Sequence, residues 1–149
     1  MKTLLSLAVM LCSLSAHAVY FDVIGACSKK PLYAGTFMTD LNDSVGKISV
    51  DIFEAHKIPY IGSEEGMAMI ANSPIGLDAM EVLSDTKMRA HGWCFSINGV
   101  VPDVLASQSN VLSQDDYISW FYAYSTYDRG VWTDYCVPTS KISPAQFCK

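Results

Sequence analysis

The sequence predicts an α+β domain, and three observations predict it. Several segments alternate apolar and polar residues with a period of two, while one carries apolar residues at spacings near 3.6. Gly, Pro, Asn and Asp punctuate these segments as turn formers. Four cysteines, Cys27, Cys94, Cys136 and Cys148, lie beyond the N-terminal apolar stretch, and an even set suits a small exported domain held by disulfides.

The N-terminus reads as a secretory signal over residues 1–18. Lys2 supplies the positive charge, residues 4–14 are largely apolar, and Ala16 and Ala18 place small side chains where a signal peptidase reads them. The stretch is shorter than the roughly 20 apolar residues that a bilayer core requires. Cys12 lies inside it but follows Leu11, where a lipoprotein signal wants a small residue. Residues 19–149 then form one domain, expected to be secreted or periplasmic, with no later transmembrane segment. The chain carries a net charge of −5, and loss of Lys2 makes the mature form more acidic still. No basic cluster exceeds Lys29 and Lys30, which argues against nucleic acid and anionic membranes as partners.

Residues 19–27 are short and apolar and read as a first strand, followed by a turn at Ser28 to Pro31. Residues 32–39 can extend the strand system, and residues 41–46 form a polar loop. Residues 47–53 alternate Ile48, Val50 and Ile52 against Lys47, Ser49 and Asp51, so a strand is expected, paired with the first. Residues 64–70 suit a helical turn or two. Ser73 and Pro74 give a helix-start signal, and Ile75, Leu77, Met80, Val82 and Leu83 then predict an amphipathic helix over residues 75–86. A strand is expected over residues 91–97, a tight turn at Asn98 and Gly99, and a long connection over residues 100–114. Residues 117–124 form the densest β segment, with Ile118, Trp120, Tyr122 and Tyr124 on one face. A short strand over residues 131–137 ends at Pro138.

The helix around Leu77 and Met80, then Gly92 and Trp93 with Ile97, Asn98 and Gly99, then Asp116, Ile118, Trp120 and Tyr122 together resemble a known pattern. It is similar to that of mostly uncharacterised secreted bacterial domains related to the C-terminal domain of transcobalamin and intrinsic factor. The resemblance covers a third to a half of the mature chain. It implies a β-grasp-like mixed sheet curled around one main helix, here with a C-terminal aromatic strand or hairpin extension. Trp93, Asn98, Gly99, Asp116, Trp120 and Tyr122 are its structural positions. The family pattern favours Gly-Asp before the aromatic strand, where this chain has Asp115 and Asp116. Transcobalamin relatives hold their corrinoid mainly on a separate helical domain, which this chain lacks, so the resemblance does not imply cobalamin capture.

The four cysteines permit three pairings. Cys94–Cys136 with Cys27–Cys148 is favoured, because it ties a strand to the late aromatic region and pins the C-terminal tail. Their scattered spacing does not suit zinc. Asp40, Asn42, Asp43 and Ser44 lack the spacing of an EF-hand calcium loop. No metal or cofactor is therefore expected. A catalytic Cys94 with His91 or His56 would need a free thiol, which a disulfide removes. Asp115 and Asp116 are adjacent and diverge, whereas paired-acid glycoside hydrolysis holds its carboxyls about 5–9.5 Å apart across the sugar.

The aromatic group late in the chain remains. Trp120 and Tyr122 fit a core pattern, whereas Tyr124, Tyr127, Trp132 and Tyr135 lie near a strand end and its turn, where flat rings with polar tips suit binding. The sequence thus predicts a non-enzymatic module using an aromatic edge to hold a small molecule, a glycan or an envelope protein. The alternatives are an envelope hydrolase using Asp115, Asp116 or His91, and a structural component of an envelope assembly. The signal reading makes one direct prediction. Intact mass of the exported protein should place its N-terminus at Val19, and retention of residues 1–18 would overturn it.

Overall fold

The computed structural model describes residues 17–148. The predicted signal therefore lies outside the described residues except for its last two, His17 and Ala18, which open the first strand. Eight strands and one α-helix follow in the order β1 (His17–Ile24), β2 (Tyr33–Thr39), α1 (Val45–Ala55), β3 (Tyr60–Ser63), β4 (Gly66–Ile70), β5 (Met80–Ser84), β6 (Lys87–Ile97), β7 (Tyr117–Asp128) and β8 (Val131–Pro138). The main sheet runs β2-β1-β7-β6-β5, with β8 also paired to β7, and β3 and β4 form a separate hairpin. It is a curled mixed sheet: β1 runs parallel to β7, and every other pair in it is antiparallel.

The expected strand at residues 47–53 is instead the helix. Ser44 caps it, its hydroxyl accepting from the Lys47 N–H at 3.1 Å. Val45, Ile48, Ser49, Ile52 and Phe53 turn inward together, which is the 3.6-residue spacing. The alternation of Ile48, Val50 and Ile52 fits both periods over so short a window. Lys47 and Asp51 form an i,i+4 ion pair that only a helix brings together. The hairpin partner of β1 is consequently β2, registered from His17↔Thr39 to Val23↔Tyr33.

Residues 75–86 are likewise not a helix. A single 3₁₀ turn, Gly76–Ala79, leads into β5, which pairs back on β6. The apolar residues behind the helical reading are largely outside: Leu77 is 90% exposed, and only Ala79 of that turn is buried. Ser73 caps no helix, because its hydroxyl accepts from the Trp93 indole at 2.8 Å. Residues 64–70 also differ from the helical expectation. Glu64 and Glu65 form the turn of the β3–β4 hairpin.

One face of the sheet carries the core. Val19, Phe21 and Val23 from β1, Ile118 and Trp120 from β7, and Phe95 from β6 meet Val45, Ile48, Ile52 and Phe53 of α1. The rings of Phe21 and Phe53 lie edge to face at 5.7 Å. Helix and sheet are also tied by a buried polar bond. The Trp120 indole N–H donates to Ser49 Oγ at 2.8 Å, and that hydroxyl donates to the Val45 carbonyl at 2.6 Å. Gly46 permits close docking of the helix, since a Cβ there would sit 1.8 Å from the Glu64 carbonyl oxygen. Among the described residues, no helix is long and apolar enough to cross a membrane.

Two disulfides close the molecule, Cys27–Cys148 and Cys94–Cys136, the pairing favoured from the sequence. The first holds the C-terminal tail, whose Phe147 packs edge-on against His91 at 4.8 Å and Tyr122 at 5.9 Å. Replacing Ser49 with Ala should strand the buried Trp120 N–H. Urea denaturation should then show a loss of about 1–3 kcal/mol, and an unchanged midpoint would show that the bond does not hold helix to sheet.

Candidate functional site

β7 is bordered on one side by β6 along nearly its whole length. Its other side is shared: β1 pairs with residues 117–121 and β8 with residues 123–128. Side chains alternate along a strand, so Trp120, Tyr122 and Tyr124 face one way with Phe95, Trp93 and His91, their partners on β6. Phe121, Ala123, Ser125 and Tyr127 face the other way, opposite Cys94, Gly92, Ala90 and Met88.

On this second face the side chains become small beyond the buried Phe121. Gly92↔Ala123 and Ala90↔Ser125 form a block of four small residues on adjacent strands. They floor a groove of about 450 Å³ whose sides include Trp132, Tyr135 and Cys94. A Cβ built on Gly92 would meet nothing within 4 Å, so the space above the floor is open. Trp132 is 41% exposed and Tyr135 72%. The Trp132 ring leans edge-on against Tyr127, its register partner, with centroids 5.3 Å apart.

The groove exists because β8 departs from regular pairing. Between Thr126↔Thr133 and Tyr124↔Val137, one residue on β7 opposes three on β8. Asp134 and Cys136 take left-handed backbone angles, φ 53° and 51°. Such conformations are uncommon for residues other than glycine and gather at functional sites. The bulge presents Tyr135 at the groove side and brings Cys136 to Cys94 on β6.

The four predicted binding aromatics are thus divided. Trp132 and Tyr135 line the groove, and Tyr127 backs Trp132. Tyr124 runs along the groove, but its ring is turned to the other face, 5.8 Å from His91 and under the Arg89 guanidinium at 5.1 Å. The floor residues were not singled out from the sequence. Their signal was the recurrence of small side chains at alternate positions, Ala90, Gly92 and Cys94 on one strand and Ala123 and Ser125 on the next.

The pattern residues are absorbed by structure. Trp93 donates to Ser73, Trp120 to Ser49, and the Tyr122 hydroxyl to the Pro74 carbonyl at 2.9 Å. Burial pushes that phenol up to about 12. Asn98 and Gly99 make a two-residue turn with φ 53° and 80°, closed by reciprocal bonds between Ile97 and Val100. Asp116 accepts from the Asn98 amide at 2.8 Å and from the N–H groups of Leu112 and Ser113 at 2.7 and 3.0 Å. Burial alone would raise its carboxyl, but these three bonds outweigh that and hold it below the usual 3.8. Asp115 is exposed beside it, with its N–H on Ser113 Oγ.

His91 and Cys94 point to opposite faces, and Cys94 is in a disulfide, so the two form no thiol–imidazole pair. His56 is exposed at the end of α1, its ring against Phe37. The His91 ring is enclosed: Nδ1 lies 3.0 Å from Thr139 Oγ1, and Nε2 lies 3.5 Å from Glu81 without a hydrogen bond. No group of His, Cys, Asp and Glu that could hold a metal occurs among the described residues.

No family model matches the chain, and no curated protein matches it. Among solved structures it is similar to a proposed metal-binding protein from Ruminococcus gnavus, at 13% identity and a TM-score of 0.43, over 71% of this chain and 95% of that one.

His91 supplies a pH dependence. Burial lowers its pKa below the ordinary 6.5, more than Glu81 restores it. The unfolded chain therefore takes up a proton that the folded one resists, and stability falls as pH drops below about 6.5. His91→Gln should lose that component. Between pH 7.5 and 5.5 its urea midpoint should change less than the wild type's, and parallel curves would refute the assignment.

Proposed function

We propose that this protein is an exported, non-enzymatic binding module whose ligand lies in the groove over β6, β7 and β8. The observation that carries this reading is a floor of small side chains, Ala90, Gly92, Ala123 and Ser125, open above Gly92 and flanked by the exposed rings of Trp132 and Tyr135. A strand pair built mainly to bury a core would carry larger side chains here. Aromatic anchors beside an accessible concavity are what binding sites commonly present.

Export is supported by the N-terminal sequence and by the two disulfides, which persist in oxidising compartments. The fold is best read as β-grasp-like and related to the transcobalamin C-terminal domain. What supports this is the initial β1–β2 hairpin, the crossover through α1, and the parallel pairing of β1 with β7. A hydrolase built on Asp115 and Asp116 has less support, because the Asp116 carboxylate is engaged by three donors that close the loop before β7.

The test is NMR screening of the disulfide-intact mature protein with a small-molecule fragment library. Amides of residues 90–94 and 123–125 should shift, and Gly92→Leu, which fills the floor, should abolish the response. Trp132→Ala should weaken binding by about 1–3 kcal/mol with the thermal midpoint little changed. Shifts confined to another concavity, such as that between β2 and α1, would put the site elsewhere.

A further inference from the structure

From that reading of the groove, we infer that its ligand is an uncharged carbohydrate. The fold has used the polar atoms of some aromatic side chains and left others over. Trp93 and Trp120 give their indole N–H groups to Ser73 and Ser49, and Tyr60, Tyr117 and Tyr122 give their hydroxyls to Glu54, Asp22 and the Pro74 carbonyl. Exposed rings such as those of Tyr20 and Tyr33 leave their hydroxyls to solvent, and at the groove such uncommitted groups are gathered around one concavity. Among the described residues, the Trp132 indole, the Tyr135 hydroxyl and the Ser125 hydroxyl make no hydrogen bond to the protein.

The groove therefore joins flat, exposed rings to uncommitted neutral donors. It has no counter-ion to offer, since its lining contains no Lys, Arg, Asp or Glu. His91 runs beneath it, but its ring is on the other face and burial keeps it neutral. Asp134 on the bulge and the acidity of the chain as a whole repel an anion. An apolar ligand would leave the three polar groups unused, whereas a charged one would find nothing to pair with. A sugar ring has one face of C–H groups to lie on Trp132 or Tyr135, with hydroxyls at its rim for the free donors. The small floor admits such a ring close to the sheet, and about 450 Å³ accommodates a short oligosaccharide. Tyr127, edge-on behind Trp132, fixes the stacking ring in place before the ligand arrives.

The experiment presents the disulfide-intact mature protein to an array of neutral and acidic oligosaccharides and a set of neutral peptides. Hits are followed by acrylamide quenching of tryptophan fluorescence. Trp120 is buried and Trp93 only partly so, and protection that disappears in Trp132→Ala therefore reports Trp132. Neutral oligosaccharides should protect it, an acidic one of equal length should bind about tenfold more weakly, and Gly92→Leu and Trp132→Ala should each lower affinity about tenfold or more. If peptides or acidic sugars protect Trp132 in a Gly92-dependent way and neutral sugars do not, the groove is the site and the carbohydrate inference is wrong. If neutral sugars bind and Gly92→Leu changes nothing, the groove itself is wrong. Failure of every neutral oligosaccharide to protect Trp132 overturns the inference.

Discussion

The structure depends on the way one strand, β7, divides its pairing edge. Its first half hydrogen-bonds in parallel to β1 and its second half antiparallel to β8, while β6 covers the opposite edge. The β1 half is committed to the core, because β1 contributes Val19, Phe21 and Val23 beneath α1. The β8 half carries only the 3₁₀ turn Thr139–Lys141, whose Thr139 meets His91 beside Tyr124. Period-two alternation then sorts the aromatics of a single run: Trp120 and Tyr122 are buried, while the groove floor around Ala123 and Ser125 lies on the reverse face. The core and the candidate site are the two sides of the same strand.

How the polar atoms are treated follows from this sorting. A buried indole or phenol that lacks an acceptor costs stability, so the core side pairs Trp93, Trp120 and Tyr122 one by one. On the groove side water satisfies the same groups, and nothing in folding requires a partner from the protein. The serines follow the same rule. Ser49 and Ser73 are acceptors held in place by core geometry, whereas Ser125 sits opposite the bulge with its hydroxyl unclaimed.

Legibility from the sequence tracked how far each element depends on local chemistry. β1, β2, β6, β7 and β8, the turn at Asn98 and Gly99, and the presence of two disulfides were all legible, because alternation, turn residues and cysteine parity state them directly. The favoured pairing among three was instead settled by which strands meet. Residues 47–53 were misread because Ile48, Val50 and Ile52 satisfy both periods. The deciding information was the Ser44 cap and the burial of Val45 and Phe53, just outside or at the end of the window. Residues 75–86 failed in the opposite sense. Their helical spacing was real, but Gly76 at φ 59° and the pairing of β5 on β6 overrode it. Trp132 and Tyr135 were legible as surface aromatics. The division of Tyr124 and Tyr127 from them was not, since it turns on strand register and on a bulge that no residue type announces.

That bulge also explains why Cys94–Cys136 matters beyond stability. A left-handed backbone at both Asp134 and Cys136 costs energy that ordinary pairing would avoid. The disulfide spans 42 residues and restricts the unfolded chain by about 4 kcal/mol in the chain-entropy picture, enough to offset such a cost. It also anchors β8 to β6 across β7, fixing the bulge that carries Tyr135 at the groove side. Cys27–Cys148 works at a different place, holding Phe147 against His91 and Tyr122 on the core face. The two cross-links therefore act on opposite sides of the sheet: one closes the core, and the other keeps the groove open.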